Sequence, residues 1–182
     1  MATATVSAPT IWSIDPTHSL VEFSVRHMMV ATVKGRFTDV KGAIRFDPDH
    51  LDRSSVDVEI GAASITTGEA QRDGHLRSPD FLDVERFPTI RFVSTRVERQ
   101  GTDRARLIGN LTIHGVTREV ALDVEFNGSG QSPFGTTVTG FTAHTSINRK
   151  DFGLNWNVAL ETGGWLVSDT IKISLEIEAV AS

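Results

Sequence analysis

The chain has 182 residues, of which 39% are hydrophobic and 23% are charged, and its net charge is −5. This ordinary balance suits one domain, which can bury roughly 70% of its unfolded surface. The 18 Lys and Arg are scattered without the basic stripe of a nucleic-acid binder, and the absence of cysteine excludes thiol catalysis, disulfides and cysteine-ligated zinc.

The N-terminal residues 1–10 are small and polar, and we predict a flexible tail there, followed by one domain over 11–182. The start of the chain lacks the basic region and the apolar core of a signal peptide. No apolar stretch reaches the ~20 residues of a membrane span. The sequence therefore predicts a cytoplasmic protein with no integral membrane segment. A periplasmic or secreted location is expected if a signal peptide has been removed.

Eight segments show the alternation of apolar and polar residues that is typical of half-buried strands. In the second segment Phe37 has the opposite parity to Val40, which predicts a bulge or bend near Asp39. The segments, in chain order, are SLVEFSVRH, GRFTDVKGAIRFD, SSVDVEIGAASIT, TIRFVSTRVER, RARLIGNLTIHG, VTREVALDVEFNG, TTVTGFTAHTSINR and DTIKISLEIEAV.

Two longer segments interrupt this pattern. In the first, at about 68–83, Thr67 or Gly68 is expected to cap a short helix over about 69–76. We predict that this helical excursion lies across one end of the sheet. The second, at about 150–168, is predicted to be irregular.

The fold class predicted from these patterns is all-β. Each strand has one apolar and one polar face, so the sheet buries one face and exposes the other to solvent. Eight antiparallel strands of this kind can close into a β-barrel and lose their edges. A two-sheet sandwich has the same alternation and is the alternative.

Small residues on the strands bear on whether such a barrel is filled or hollow. A filled core would favour larger side chains at these positions, so they favour a hollow barrel, while barrel taper or a bulge is the alternative explanation. The residues are Gly42, Ala62, Ser64, Ala105, Gly109, Gly140, Thr142, Ala143 and Ser146.

The triplet Asp151-Phe152-Gly153 is the one that holds magnesium in protein kinases. A kinase also needs a glycine-rich loop, a β3 lysine and an HRD-type catalytic loop, and none of these is present. The match is therefore attributed to chance.

The chain offers no recognisable catalytic or metal-binding set. His27, His114 and His144 show no ligand spacing, and strand-end histidines are more typical of structural hydrogen bonds than of a metal site. Arg72 and Asp73 are neighbours on one short helix and point in different directions, so they cannot easily act on one reacting atom. A local ion pair that anchors the excursion is expected instead of acid–base chemistry. No metal, no cofactor and no enzymatic activity are predicted.

Seven short phrases occur in a fixed order between about residues 12 and 180. They are WxIDxxHS from Trp12, FSVRH from Phe23, GRF from Gly35, RDxHL with FL from Arg72, FPxIxF from Phe87, GxLTIHGVT from Gly109 and IxRxDFG from Ile147. Together they resemble the YceI-like, polyisoprenoid-binding family of bacterial proteins.

The resemblance implies an extended, lipocalin-like, eight-stranded antiparallel barrel with a helix near one mouth. It implies non-enzymatic binding, transport or storage of a long-chain isoprenoid lipid or similar amphiphile, such as a polyprenyl chain or an isoprenoid quinone, in an apolar tunnel. Many members are periplasmic and many are dimers, so a homodimer is expected. Two alternatives remain: a filled barrel acting as a dimeric interaction or stress-response module without a lipid, and a hydrolase or isomerase with a polar pair inside the cavity.

The residues expected to bind the ligand fall into two groups. His27, Arg72 and Arg149 are candidates for the head group, with an Arg149–Asp151 structural pair as the alternative for the last. The wall candidates, for each of which plain core packing is the alternative, are Phe23, Val25, Val40, Ile44, Val58, Ile60, Phe81, Phe92, Leu111, Ile113, Phe141 and Trp156.

Overall fold

The computed structural model describes residues 9–182, which contain eleven strands and one α-helix. Of the tail predicted at 1–10, residues 1–8 lie outside the described part, and Thr10 begins the first strand. The strands are β1 Thr10–Ile14, β2 Leu20–His27, β3 Ala31–Phe37, β4 Val40–Phe46, β5 Ser55–Gly61, β6 Ile65–Thr66, β7 Thr89–Arg99, β8 Arg104–Ile113, β9 Val116–Gln131, β10 Thr137–Asn148 and β11 Thr170–Ala181. The helix is α1 Ala70–Arg77, and 3₁₀ turns cover Leu51–Arg53, Ala62–Ser64 and Arg149–Phe152.

The sheet is antiparallel throughout and closes on itself between β1 and β11, where Trp12 pairs with Ala181. β11 pairs with β1 near its C-terminus and with β2 nearer its N-terminus, so β1 and β2 form one interrupted wall strand. In the same way, β3 and β4 form a second interrupted wall strand, and β5 and β6 form a third. With β7 to β11 these make eight wall positions, which confirms the predicted eight-stranded barrel and excludes the sandwich.

The break between β3 and β4 confirms the bend expected near Asp39. The backbone N–H of Gly61 donates to the Asp39 carbonyl at 2.9 Å, and Ser64 Oγ accepts from the Thr38 N–H at 3.1 Å. Ser64 Oγ also donates to the Gly61 carbonyl at 2.7 Å. Because of this bend, Phe37 and Val40 both face the barrel interior despite their opposite parity.

The break between β1 and β2 is organised by the Asp15 carboxylate. It accepts hydrogen bonds from the Thr17 hydroxyl at 2.6 Å and the Thr17 N–H at 2.8 Å, and it lies 2.8 Å from His18 Nδ1. The Thr17 hydroxyl, the His18 ring and the Thr17 N–H together lower the pKa of Asp15 to about 2. Ser19 then donates to the Glu178 carbonyl at 3.1 Å, which returns the chain to β11.

The predicted helix is present as α1, but the predicted cap was wrong. Glu69, rather than Thr67 or Gly68, is the N-cap, and its carboxylate accepts from the N–H groups of Gln71 at 3.1 Å and Arg72 at 2.6 Å. An acceptor at this position satisfies N–H groups of the first turn that have no partner within the helix.

The expected Arg72–Asp73 ion pair was also wrong, because consecutive helix residues point apart and both side chains bind Thr67 instead. Asp73 accepts from the Thr67 N–H at 2.8 Å and from its hydroxyl, while Arg72 Nε donates to the Thr67 hydroxyl at 2.7 Å. Burial alone would raise the pKa of Asp73, but the hydrogen bonds from Thr67 and Thr66 and the charge of Arg77 together lower it.

The two excursions lie at one end of the barrel, which we call the helix end. The ring of His75 in α1 stacks edge-on against Trp156 of the second excursion, with centroids 4.6 Å apart. The opposite end, which we call the turn end, carries the loops after β4, β7 and β9. None of the helical segments within residues 9–182 has the length and apolarity needed to cross a membrane.

Candidate functional site

The barrel interior contains a cavity of about 420 Å³. Its wall extends from Phe81 and Leu82 at the helix end to Pro48 and Arg99 at the turn end. Small-molecule sites in proteins typically measure ~300–1,000 Å³. A filled barrel, which was the structural alternative, is therefore excluded.

The wall is apolar because the strands alternate with period two. In β11 the residues Ile171, Ile173, Leu175 and Ile177 all line the cavity. On the other face of the strand, Glu176 accepts a hydrogen bond from the Thr142 hydroxyl at 2.9 Å. The same alternation in the other strands builds a continuous branched-aliphatic and aromatic surface.

Small residues make room for the cavity at some of the predicted positions only. Ala105 and Ala143 line it. Gly109 does not leave space, because the Phe92 ring lies over it and a Cβ there would come within 2.5 Å of the ring and 2.6 Å of the Val93 carbonyl oxygen. A Cβ at Gly42 would similarly collide with the backbone of β5. These two glycines serve close packing of neighbouring groups, and Ala62 and Ser64 belong to the 3₁₀ turn outside the wall.

Three phenylalanines narrow the cavity toward the turn end. Phe46 lies 5.1 Å from Phe126 and 5.3 Å from Phe141, and the last two rings are 5.6 Å apart. All three line the cavity. Phe46 and Phe126 were not among the predicted ligand-binding residues, although each has the inward parity of its strand.

The helix end of the cavity is closed by apolar side chains. Leu76, Phe81 and Leu82 cover it from the first excursion, and Leu154 and Val167 cover it from the second. These side chains form a lid over the cavity that the barrel strands alone do not provide.

Three of the predicted ligand-binding residues lie away from the wall. Trp156 packs against Phe81 from outside, with ring centroids 5.3 Å apart. His27 ends β2, where it pairs with Ala31 and bridges to Val167. Arg72 is exposed on α1 and bound to Thr67. All the other predicted residues are on the cavity wall.

Arg149 is on the wall and is 2% exposed. Burial lowers the pKa of its guanidinium, and the Asp169 carboxylate acts in the opposite direction. The alternative, a structural pair with Asp151, was wrong in its partner: Asp151 is exposed, and the carboxylate near Arg149 Nη2 is that of Asp169, at 3.8 Å.

The guanidinium of Arg149 is occupied by the backbone of the second excursion. An arginine has five N–H donors in a fixed fork, and four carbonyls use it here. The acceptors are the carbonyls of Ser168 at 2.9 Å, Leu154 at 2.7 Å, Trp156 at 2.9 Å and Val167 at 3.3 Å. This geometry gives Arg149 a bracing role.

Polar groups gather on the cavity wall at the turn end, where sequence reasoning proposed none. Arg45, Arg99, Asp103 and Arg104 line this end. Arg99 Nη2 donates to the Pro48 carbonyl at 2.7 Å, which ties two loops together. Arg104 Nη2 also lies 4.0 Å from Glu125 Oε2. The arrangement is an apolar cavity with charged groups at one end, which suits an amphiphile with a polar head group.

The chain matches a family model described as YceI-like domain over residues 12–179. It is 36% identical over 163 residues to a UPF0312 protein of Pseudomonas savastanoi, covering 90% of this chain and 81% of that one. It is 37% identical over 170 residues to a UPF0312 protein of Staphylococcus aureus, covering 93% of this chain and 96% of that one.

Three solved structures extend the comparison. The YCEI protein of Campylobacter jejuni is 31% identical with a TM-score of 0.75, covering 86% of this chain and 90% of that one. BcnA of Burkholderia cenocepacia is 22% identical with a TM-score of 0.80, covering 91% and 98%. A polyisoprenoid binding domain from Saccharophagus degradans, implicated in plant cell wall breakdown, is 17% identical with a TM-score of 0.68, covering 94% and 98%. The last two share the fold.

Proposed function

Because this chain belongs to the YceI-like family, we propose that it binds a long-chain isoprenoid lipid or similar amphiphile inside its barrel. The observation that carries the proposal is the cavity of about 420 Å³ with an apolar wall along the barrel. Burying an apolar chain in such a cavity gains about 0.8 kcal/mol for each CH₂ group removed from water. A chain of isoprene units is hydrocarbon along its whole length, so it offers such a wall only apolar surface.

We propose that the tail of the lipid points to the helix end and its head group to the turn end. The helix end is closed by Phe81 and Leu82, which offer a tail only apolar contacts. The turn end offers Arg45 and Arg104, whose guanidinium groups suit a phosphate or a quinone oxygen, whereas Arg99 is bound to the Pro48 carbonyl. The ligand class is therefore a polyprenyl chain with an oxygen-rich head group, or an isoprenoid quinone.

The fold neighbour from Saccharophagus degradans, described as polyisoprenoid-binding, supports the same class of ligand. At 17% identity it supports this through the shape of the barrel alone.

Transport or storage without catalysis is the activity that these contacts favour. Within residues 9–182, the charged side chain that is both buried and on the cavity wall is Arg149, and its N–H donors are bound to backbone carbonyls. A hydrolase or isomerase would need a polar pair beside the ligand. The homodimer and the cytoplasmic location expected from the sequence stay predictions.

Lipid loading from detergent tests the proposal directly. The protein is incubated with an isoprenoid quinone or a polyprenyl phosphate in micelles, the detergent is removed, and bound lipid is counted by native mass spectrometry. We expect one lipid per barrel for each. A folded protein that retains neither lipid would refute the proposal.

The orientation is tested with Arg104→Gln, since Arg104 lines the turn end. Its control is Arg118→Gln, an exposed arginine on β9 outside the cavity. Because glutamine lacks the charged N–H donors of arginine, Arg104→Gln should weaken polyprenyl phosphate binding about tenfold. Quinone binding should change less. Equal affinities in the two variants would contradict the assignment of the head group to the turn end.

A further inference from the structure

Exposed apolar side chains cluster at one end of the molecule. Of the seven large hydrophobic residues that are exposed among residues 9–182, five lie at the helix end. We call these five the rim patch: Met28, Met29, Val30, Val158 and Trp165. Single exposed apolar residues are common on protein surfaces, but a cluster beside a cavity marks an interaction site.

Backbone contacts hold the two halves of the rim patch together. The N–H of Met28 donates to the Leu166 carbonyl at 2.8 Å, and the Met29 sulfur packs directly against Gly164. Trp165 is fixed by its bridge to Ala159. The β2–β3 turn and the 158–165 segment therefore form one continuous surface.

Met28 and Met29, at the tip of this turn, are residue types that rarely adopt its backbone conformation. Met28 and Met29 have φ angles of 50° and 62°, in the left-handed region that favours glycine and asparagine. Two methionines there are unfavourable for the turn itself. Their apolar, adaptable side chains are instead suited to contact with an irregular apolar surface.

The rim patch is continuous with the cavity. β2 carries Val25 on the cavity wall and ends at the patch, and Val167 is on the wall two residues after Trp165. The segment that contains Val167 runs beside the end of β2, where the N–H of Ser168 donates to the Arg26 carbonyl at 3.1 Å. The apolar end of the cavity thus lies next to the exposed apolar surface.

We propose that the rim patch docks on the surface of a lipid bilayer, where the barrel takes up or releases its ligand. This inference rests on the proposed function, because a long isoprenoid chain is collected from a membrane. The patch contains Trp165, which is 56% exposed, and indole rings favour the membrane–water interface. The tail end of the cavity then faces the hydrocarbon of the bilayer.

The charges around the rim patch make the docking apolar rather than electrostatic. Arg26 contacts Met29, and Glu161 belongs to the segment that carries Val158 and Trp165. The whole chain carries a net charge of −5. Arg26 is also engaged, through a 3.2 Å hydrogen bond from Nη2 to the Met29 carbonyl. We therefore expect binding to neutral phosphatidylcholine vesicles with little dependence on salt.

Flotation with phosphatidylcholine vesicles tests the docking. The test variant is Met28→Asn/Met29→Asn/Val30→Ser, in which asparagine preserves the left-handed turn. Trp165→Ser is an independent second variant. The control is Phe134→Ser, which removes a 92% exposed aromatic side chain at the turn end. We expect the wild type and Phe134→Ser to float with vesicles, and the bound fraction of each rim variant to fall at least tenfold.

Two outcomes overturn the docking: wild-type protein that does not float with the vesicles, and rim variants that float as well as Phe134→Ser. A wild-type dimer that the rim variants convert to monomers would assign the patch to a second copy of this chain and also overturn it.

Loading from detergent micelles separates this inference from the proposed function. We expect the rim variants to load lipid from micelles as fully as the wild type, and from vesicles more slowly. If the wild type loads from micelles but the rim variants load from vesicles at the wild-type rate, the docking fails and the carrier function stands. If the wild type floats but loads from neither source, the carrier function fails.

Discussion

At the scale of single residues, Arg149 fixes the second excursion through four backbone carbonyls. Arg149→Met would leave four part-buried acceptors without a charged donor, and we expect a loss of about 3 kcal/mol in the free energy of unfolding. Lys150→Met is the control, because Lys150 is exposed and its 3.4 Å contact with Asp169 is a surface ion pair worth less than about 1 kcal/mol. Urea denaturation of both variants measures the difference. Equal losses would contradict the bracing role.

Asp15 makes the stability of the barrel closure depend on pH. Its pKa is about 2 in the folded protein and 3.8 in its ordinary state, so its charged form stabilises the fold above pH 3.8. That contribution is lost as the pH falls from about 4 to about 2. Asp15→Asn should therefore be less stable than the wild type at pH 6, and the difference should shrink over that acidic range.

The control for Asp15 is Asp49→Asn, which changes an exposed carboxylate in the loop after β4. Thermal unfolding between pH 2 and pH 6 measures both variants. A gap between the wild type and Asp15→Asn that stays constant with pH would contradict the account of Asp15.

Residue positions were easier to predict from the sequence than residue partners. The sequence indicated that Arg149 and Asp73 matter at the excursions, but it offered Asp151 as an alternative partner for Arg149 and expected Arg72 as the partner of Asp73. Arg149 instead binds four backbone carbonyls of the second excursion, and Asp73 binds Thr67. These partners are set by how the chain folds back over the barrel. Proximity along the chain therefore suggested the wrong pairs.

At the scale of elements, α1 covers the helix end of the cavity and depends on its cap. Glu69→Ala removes the acceptor for the N–H groups of Gln71 and Arg72, which should cost about 1 kcal/mol. Gln71→Ala, an exposed change in the same turn, is the control. Hydrogen exchange of the α1 amides should accelerate in Glu69→Ala and stay near the wild-type rate in the control. Unchanged exchange in Glu69→Ala would contradict the capping role.

Most of the wall could be predicted at this scale, because strand periodicity directly encodes which side chains face inward. The divided first wall strand was missed. β1 has only five residues, and the turn around Asp15 separates it from β2 in the sequence pattern, although both strands pair with β11. The bend near Asp39 was found because a parity change leaves a trace in the sequence.

At the scale of the whole molecule, the barrel keeps an interior that its own side chains do not fill. The sequence suggested this through small residues, but only Ala105 and Ala143 among them face the cavity. The arginines at the turn end were not predicted, since loop ends and strand ends meet there only after the barrel closes. The charged groups at the turn end could therefore be located only in the structure, whereas the apolar wall could be predicted from the sequence.

The most direct test of lipid binding in the cavity is the lipid occupancy of Ala143→Phe. Ala143 is buried on the cavity wall, so a phenyl ring there would occupy the cavity, whereas Ala121→Phe places the same ring on the exposed face of β9. Native mass spectrometry after loading with an isoprenoid quinone should show one lipid per barrel in the wild type and in Ala121→Phe, and at least a tenfold lower occupancy in Ala143→Phe. Equal occupancy in two folded variants would contradict binding inside the barrel.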